Sequence, residues 1–179
     1  MSRIHGLIGF HAVLTACLLI CSCSGDVSNC PSPTYPVVKH IGIVTLSLDD
    51  RLSDLCSQAG LSDGWSDHIG FFEEHLGSLE DTADIWLVSI DSVSISFEDA
   101  MEWCNQNGYQ LASVHATVSS MIQRKDRYDS NVQCLLAGPV TMDEDCNPHI
   151  AVIYPDDNEF WKEGLIIIRP TTWIVVTKH

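Results

Sequence analysis

Two acidic runs, with a tryptophan close to one of them, carry the residue types and spacing that suit ligand chemistry. Asp143, Glu144 and Asp145 are consecutive, and Asp156, Asp157 and Glu159 form a second run just before Trp161. A hard cation such as calcium takes roughly six to eight oxygen ligands, so these carboxylates gather one only where the fold brings both runs together. Isolated acidic runs are ordinarily solvated loops. Trp161 stands between acidic and basic residues in a stretch that reads as a loop, which leaves its ring able to lie against a ligand. Trp86 and Trp173 fall in strand-like segments and pack, and Trp103 adjoins a buried helical face. The candidate ligand-binding set is therefore Trp161, Asp156, Asp157 and Glu159.

Other constellations carry less. His68 and His75 lie near Glu73 and Glu74, but they are not at the i, i+4 spacing that turns two imidazoles toward one metal, so they read as surface histidines. Ser113 and His115 are too close in the chain to imply a nucleophile and its base. No glycine-rich phosphate loop is present, no metal set is assigned, and no nucleophile, base or metal constellation points to an enzyme. Among the eight cysteines, Cys17, Cys21 and Cys23 sit in or beside an apolar leader, leaving Cys30, Cys56, Cys104, Cys134 and Cys146. No C-x-x-C pair follows the leader, so zinc is unsupported. In an oxidising compartment these cysteines pair; the odd number leaves a free thiol, an intermolecular bridge or a retained Cys23, and connectivity stays open.

The leader has Arg3, an apolar run from Gly6 to Ile20 and small residues at Ser22, Cys23 and Ser24. That is the pattern of a secretory signal peptide over residues 1–24, with a membrane anchor as the alternative; the run is short of the roughly 20 apolar residues of a span. The chain of 179 residues has a net charge of −15. An anionic surface opposes nucleic acid and acidic lipid, both of which are bound through clustered Lys and Arg. Arg124, Lys125 and Arg127 read as a solvated helix face.

These residues must be held by recognisable elements. Residues 25–36, GDVSNCPSPTYP, form a Pro- and Ser-rich linker. Val37 to Leu48 predicts a strand with a bulge at Gly42. Asp49 to Ala59 predicts a helix ended by Gly60, and Ser66 to Leu76 a second one. Ile85 to Ile95 predicts a strand. Ser96 is placed as an N-cap with Asp99 three residues on, and Phe97, Ala100, Met101 and Cys104 follow at i, i+3, i+4 and i+7 on one buried face. Gly108 is placed to end that helix in a left-handed conformation. A helix from Thr117 to about Arg127 buries Val118, Met121 and Ile122. Beyond it lie strands at Val132 to Ala137 and Ile150 to Tyr154, then a hairpin of Leu165 to Ile168 with Trp173 to Val176.

The stretch from Trp86 to Ile122, WLVSIDSVSISFEDAMEWCNQNGYQLASVHATVSSMI, resembles the first half of the C-type lectin-like domain. The resemblance is specific at Phe97, Ala100, Cys104, Gly108 and Leu111 to His115. It implies an α+β fold, two helices packed on a mostly antiparallel sheet, whose chain ends meet in one sheet and whose middle carries a long loop between Val132 and Tyr154. It also implies a structural disulfide from Cys104 to Cys134 or Cys146. The second half departs from the family: Tyr154-Pro155-Asp156 and Trp161-Lys162 stand where calcium-ligating motifs belong, and the lysine brings charge of the wrong sign.

The organisation expected is a signal peptide at 1–24, a linker at 25–36, a strand and helix extension at 37–84, and a divergent C-type lectin-like domain at 85–179. The function expected is a secreted or surface-tethered recognition module for a protein or glycan, with no cofactor, calcium having only weak support, and no nucleic-acid or membrane partner beyond an N-terminal tether. The alternative is a small secreted structural or interaction protein of an unrelated α+β fold.

Overall fold

In the computed structural model the described residues are 36–46, 49–63, 67–73, 81–89, 95–128, 131–164, 167–168 and 171–178. The leader, the linker before Pro36, and Leu48, Trp65, His75 and Leu165 lie outside them.

The chain folds as mixed α+β around one large mixed sheet. Strand β1 (Val37–Thr45) is β-branched and is followed by helix α1 (Leu52–Ala59), two-residue strand β2 (Ser62–Asp63) and helix α2 (His68–Glu73). Then come β3 (Thr82–Ser89), β4 (Ile95–Ser96), α3 (Phe97–Gln106), β5 (Tyr109–Leu111) and α4 (Val114–Gln123) with a 3-10 turn at Lys125–Arg127. The C-terminal part is β6 (Cys134–Met142), β7 (Pro148–Tyr154), β8 (Glu159–Gly164), β9 (Ile167–Ile168) and β10 (Thr172–Lys178). The sheet runs β1-β3-β10-β6-β7-β8-β2, with β5 also pairing β10 and a separate β4-β9 pair. The β10–β6 and β2–β8 pairings are parallel and the others in this sheet are antiparallel.

Alternation along the strands splits the core into two layers, because successive side chains point to opposite faces. Leu52, Leu55 and Cys56 of α1, Ile69 and Phe72 of α2, and Val114 and Val118 of α4 close over Ile85, Leu135, Ile153 and Phe160. Phe97, Ala100 and Cys104 of α3 close over Val88, Leu136, Val152 and Ile174 on the other face. Helix α3 starts where its cap predicts: the Ser96 hydroxyl accepts from the Asp99 amide at 3.1 Å. Gly108 follows it with φ +76, the left-handed conformation that glycine adopts at low cost.

Three sequence expectations are corrected. Helix α4 begins at Val114 rather than Thr117, because the Ser113 hydroxyl accepts from the Ala116 amide and caps the chain three residues earlier. Its burial is also wider than one stripe, covering Val114 through Ser120. Ile167–Ile168 pairs with Ile95–Ser96, while β10 pairs with β3, β5 and β6, so these segments make no hairpin with each other. Among the described residues no helix is long and apolar enough to cross a membrane.

Candidate functional site

The predicted ligand set lies on one hairpin. Asp156 and Asp157 are exposed on the turn between β7 and β8, beside Asn158 at φ +56. Trp161 is a strand residue, not a loop residue, since it pairs opposite Val152 within β8. Its indole N–H donates to Glu159 Oε2 at 2.8 Å, and its ring lies 5.3 Å from that of His68. The structure therefore brings Glu159 to Trp161, half-buried, and leaves Asp156 and Asp157 on the exposed tip. His68 is buried rather than on the surface, and its Nδ1 accepts from the Lys162 amide at 3.2 Å.

The first acidic run is organised by its own backbone. Asp143 Oδ1 accepts from the amides of Asp145 and Asn147 at 3.0 and 2.8 Å, and Oδ2 accepts from His149 Nε2 at 2.8 Å. The His149 bond, followed by these amides, holds the Asp143 carboxyl far below the usual carboxylate range. Its oxygens are engaged in closing a turn. Among the described residues no group of three or more His, Cys, Asp or Glu is arranged to hold a metal.

No two of the described cysteines are joined. Cys104 and Cys134 both lie buried in the layer beneath α3, and Cys146 is exposed at φ +63 in the β6–β7 turn. The bridge implied from Cys104 to Cys134 or Cys146 is thus absent. Burial pushes the Cys104 thiol up to about 11, and burial with the charges of Asp63 and Glu73 pushes Cys56 to about 12.

A different surface assembles the aromatic groups. His40 on β1 lies directly opposite Trp86 on β3, and the two rings stack at 4.2 Å with planes 27° apart. Asp84 ties them together: its Oδ1 is 2.7 Å from His40 Nε2 and its Oδ2 accepts from the Trp86 indole N–H at 3.0 Å. Burial raises the Asp84 carboxyl, but the bonds from His40 and Trp86, with the charges of His40 and Lys178, bring the net shift below the usual value. Beyond Trp86 comes Tyr109, at 6.0 Å between centroids, and then Trp103 of α3, stacked on Tyr109 at 6.3 Å. The Lys178 ammonium stands 5.5 Å from the Trp86 centroid and 5.4 Å from that of Tyr109, within cation–π reach.

This row crosses β1, β3, β10 and β5 on the face that α3 only partly covers. Val38 and Ile43 on β1 share that face, being paired with Val88 and Asp84, and are 36% and 59% exposed. The sequence predicts that Trp86 packs and that Trp103 adjoins a buried face, and both are half-buried against the α3 layer as expected; the signal for their grouping lies in strand pairing. No protein-family model matches the chain, and no curated protein or solved structure is significantly similar to it.

Proposed function

We propose that this chain is a secreted, calcium-independent saccharide-recognition module of C-type lectin-like architecture, with the ring row as its contact surface. The observation that carries this reading is the row of exposed His40 and half-buried Trp86 and Trp103, the two indoles joined through the buried ring of Tyr109, with Asp84 and Lys178 set among them. Aromatic surface bordered by a few polar groups suits a ligand with apolar ring faces and hydroxyl edges.

The architecture has support in the order β3, α3, β5, α4, which follows the motif from Trp86 to Ile122, and in the antiparallel pairing of β3 with β10, which brings the ends of the 85–179 region together. It departs from the family at β6–β7, joined by a tight turn closed by the Asp143 amide to the Asn147 carbonyl at 3.0 Å, where a long loop is expected. Export rests on the leader-like residues 1–24.

Titration calorimetry of the purified protein against a panel of neutral and acidic oligosaccharides tests the reading. Binding is expected to survive calcium chelation, to fall at least tenfold in Trp86→Ala and His40→Ala, and to change little in Trp161→Ala. No saccharide bound at millimolar concentration, or binding abolished by chelation, overturns it. A pulled-down protein ligand that still binds Trp86→Ala argues for a different surface.

A further inference from the structure

Beside the ring row, where β1 is interrupted, lies a cleft of about 370 Å³ lined by His40, Ile41, Gly42, Arg124, Asp126 and Arg127. The interruption is a bulge: the register with β3 shifts between His40 and Gly42, and Gly42 has φ +123. A side chain there would be strained, and its Cβ would stand 3.4 Å from Arg124 Nε. The glycine thus keeps the space against the guanidinium open. Arg124 is held at the wall because one Nη donates to the Ile43 carbonyl at 2.6 Å. Arg127 follows three residues on, with its Nε 3.8 Å from Asp126, and both of those side chains are largely exposed.

The charge placement is unusual for this protein. A chain of net charge −15 with only nine Lys and Arg puts three of them, Arg124, Lys125 and Arg127, within four positions at the end of α4. Two arginines lining one cleft suit a planar oxyanion, because the guanidinium fork matches a carboxylate in a bidentate pair. The Asp126 carboxylate in the same cleft suits a hydroxyl donor beside the bound carboxylate. His40 belongs to both places: it lines the cleft, and its ring stacks on Trp86.

We propose that the cleft binds the carboxylate of an acidic saccharide, with Arg124 and Arg127 holding the carboxylate, Asp126 accepting from an adjacent hydroxyl, and the next sugar ring lying along His40 and Trp86. This rests on the ring row being a saccharide surface, and it adds the ligand class. Calorimetry of the full chain against a uronate-containing oligosaccharide, its carboxyl-reduced neutral counterpart and a sulfated neutral one separates the two claims.

The uronate is expected to bind at least tenfold more tightly than the neutral counterpart. Arg127→Gln, which removes a largely exposed side chain and its 3.8 Å pair with Asp126, brings that ratio close to one, as does Arg124→Lys, which keeps the charge but loses the fork. Higher salt narrows the ratio in the parent protein. Equal affinity for the uronate and neutral forms, or a ratio unmoved by both substitutions, overturns the carboxylate site while leaving saccharide binding intact. A sulfated ligand bound more tightly than the uronate overturns the carboxylate assignment. Failure of all three ligands to bind removes the ring-row reading as well.

Discussion

Asp84 has the largest share in shaping the ring row, since it receives a proton donor from each of the two stacked rings. Its side chain is 34% exposed, so solvent competes for these bonds. Asp84→Ala is expected to cost about 1 kcal/mol in a urea titration and to shift tryptophan fluorescence as Trp86 loses its partner. Chemistry at the cysteines divides by burial. The thiolate is the reactive form, so at pH 8 iodoacetamide followed by peptide mapping is expected to label exposed Cys146 and to spare Cys104 and Cys56 until the protein is unfolded. Rapid native labelling of Cys104 contradicts its burial on the core-facing side of α3. Cys104 was legible as a buried helix position from its spacing with Phe97 and Ala100; its lack of a bridge to Cys134 or Cys146 was not, because pairing depends on the approach of distant segments.

At strand β1 the main problem is an open edge, since unpaired backbone groups invite another chain. The end of α4 closes part of it. Gln123 accepts from the Thr45 amide at 3.1 Å and donates to the Thr45 carbonyl at 2.7 Å, as a neighbouring strand would, and Arg124 covers the Ile43 carbonyl. Gln123→Ala is expected to lower stability by about 1–2 kcal/mol, from two lost bonds, and to raise self-association measured by light scattering. The β6–β7 turn depends on pH through Asp143. Its folded carboxyl titrates below the unfolded one, so its stabilisation is complete above about pH 4 and is lost as pH falls through the lowered value. Protection of the Asn147 amide, measured against the unstructured exchange rate at the same pH, is expected to persist at pH 5 and to be lost only in stronger acid; Asp143→Asn lowers it already at neutral pH. The bulge at Gly42 was legible because a glycine interrupts a β-branched run. The glutamine clamp was not, since it joins positions 45 and 123.

The assembled protein balances a two-layer core against its own charge. Phe160 is fully buried at the centre of one layer, and its ring meets that of Phe72 at 5.9 Å. Opposing this is the repulsion implied by a net charge of −15, which salt screens over a Debye length of about 8–10 Å. Thermal unfolding followed by circular dichroism is expected to show Tm rising by several degrees between roughly 10 mM and 0.5 M sodium chloride. A flat or falling Tm contradicts a stability limited by acidic self-repulsion.

Local signals in the amino-acid order were enough to place α1, α3, the cap at Ser96, the turn at Gly108 and the strand character of β1, β3, β6, β7 and β10. Caps, helical periodicity and positive-φ glycines act within a few residues, so a short window contains their cause. Trp161 in a strand, the β9–β4 pair, the early start of α4, and the meeting of residues 40, 84, 86, 103, 109 and 178 came from long-range pairing. Alternation tells which way a strand's side chains point but not which strand lies beside it, and both the ring row and the cleft are made by that choice of neighbour.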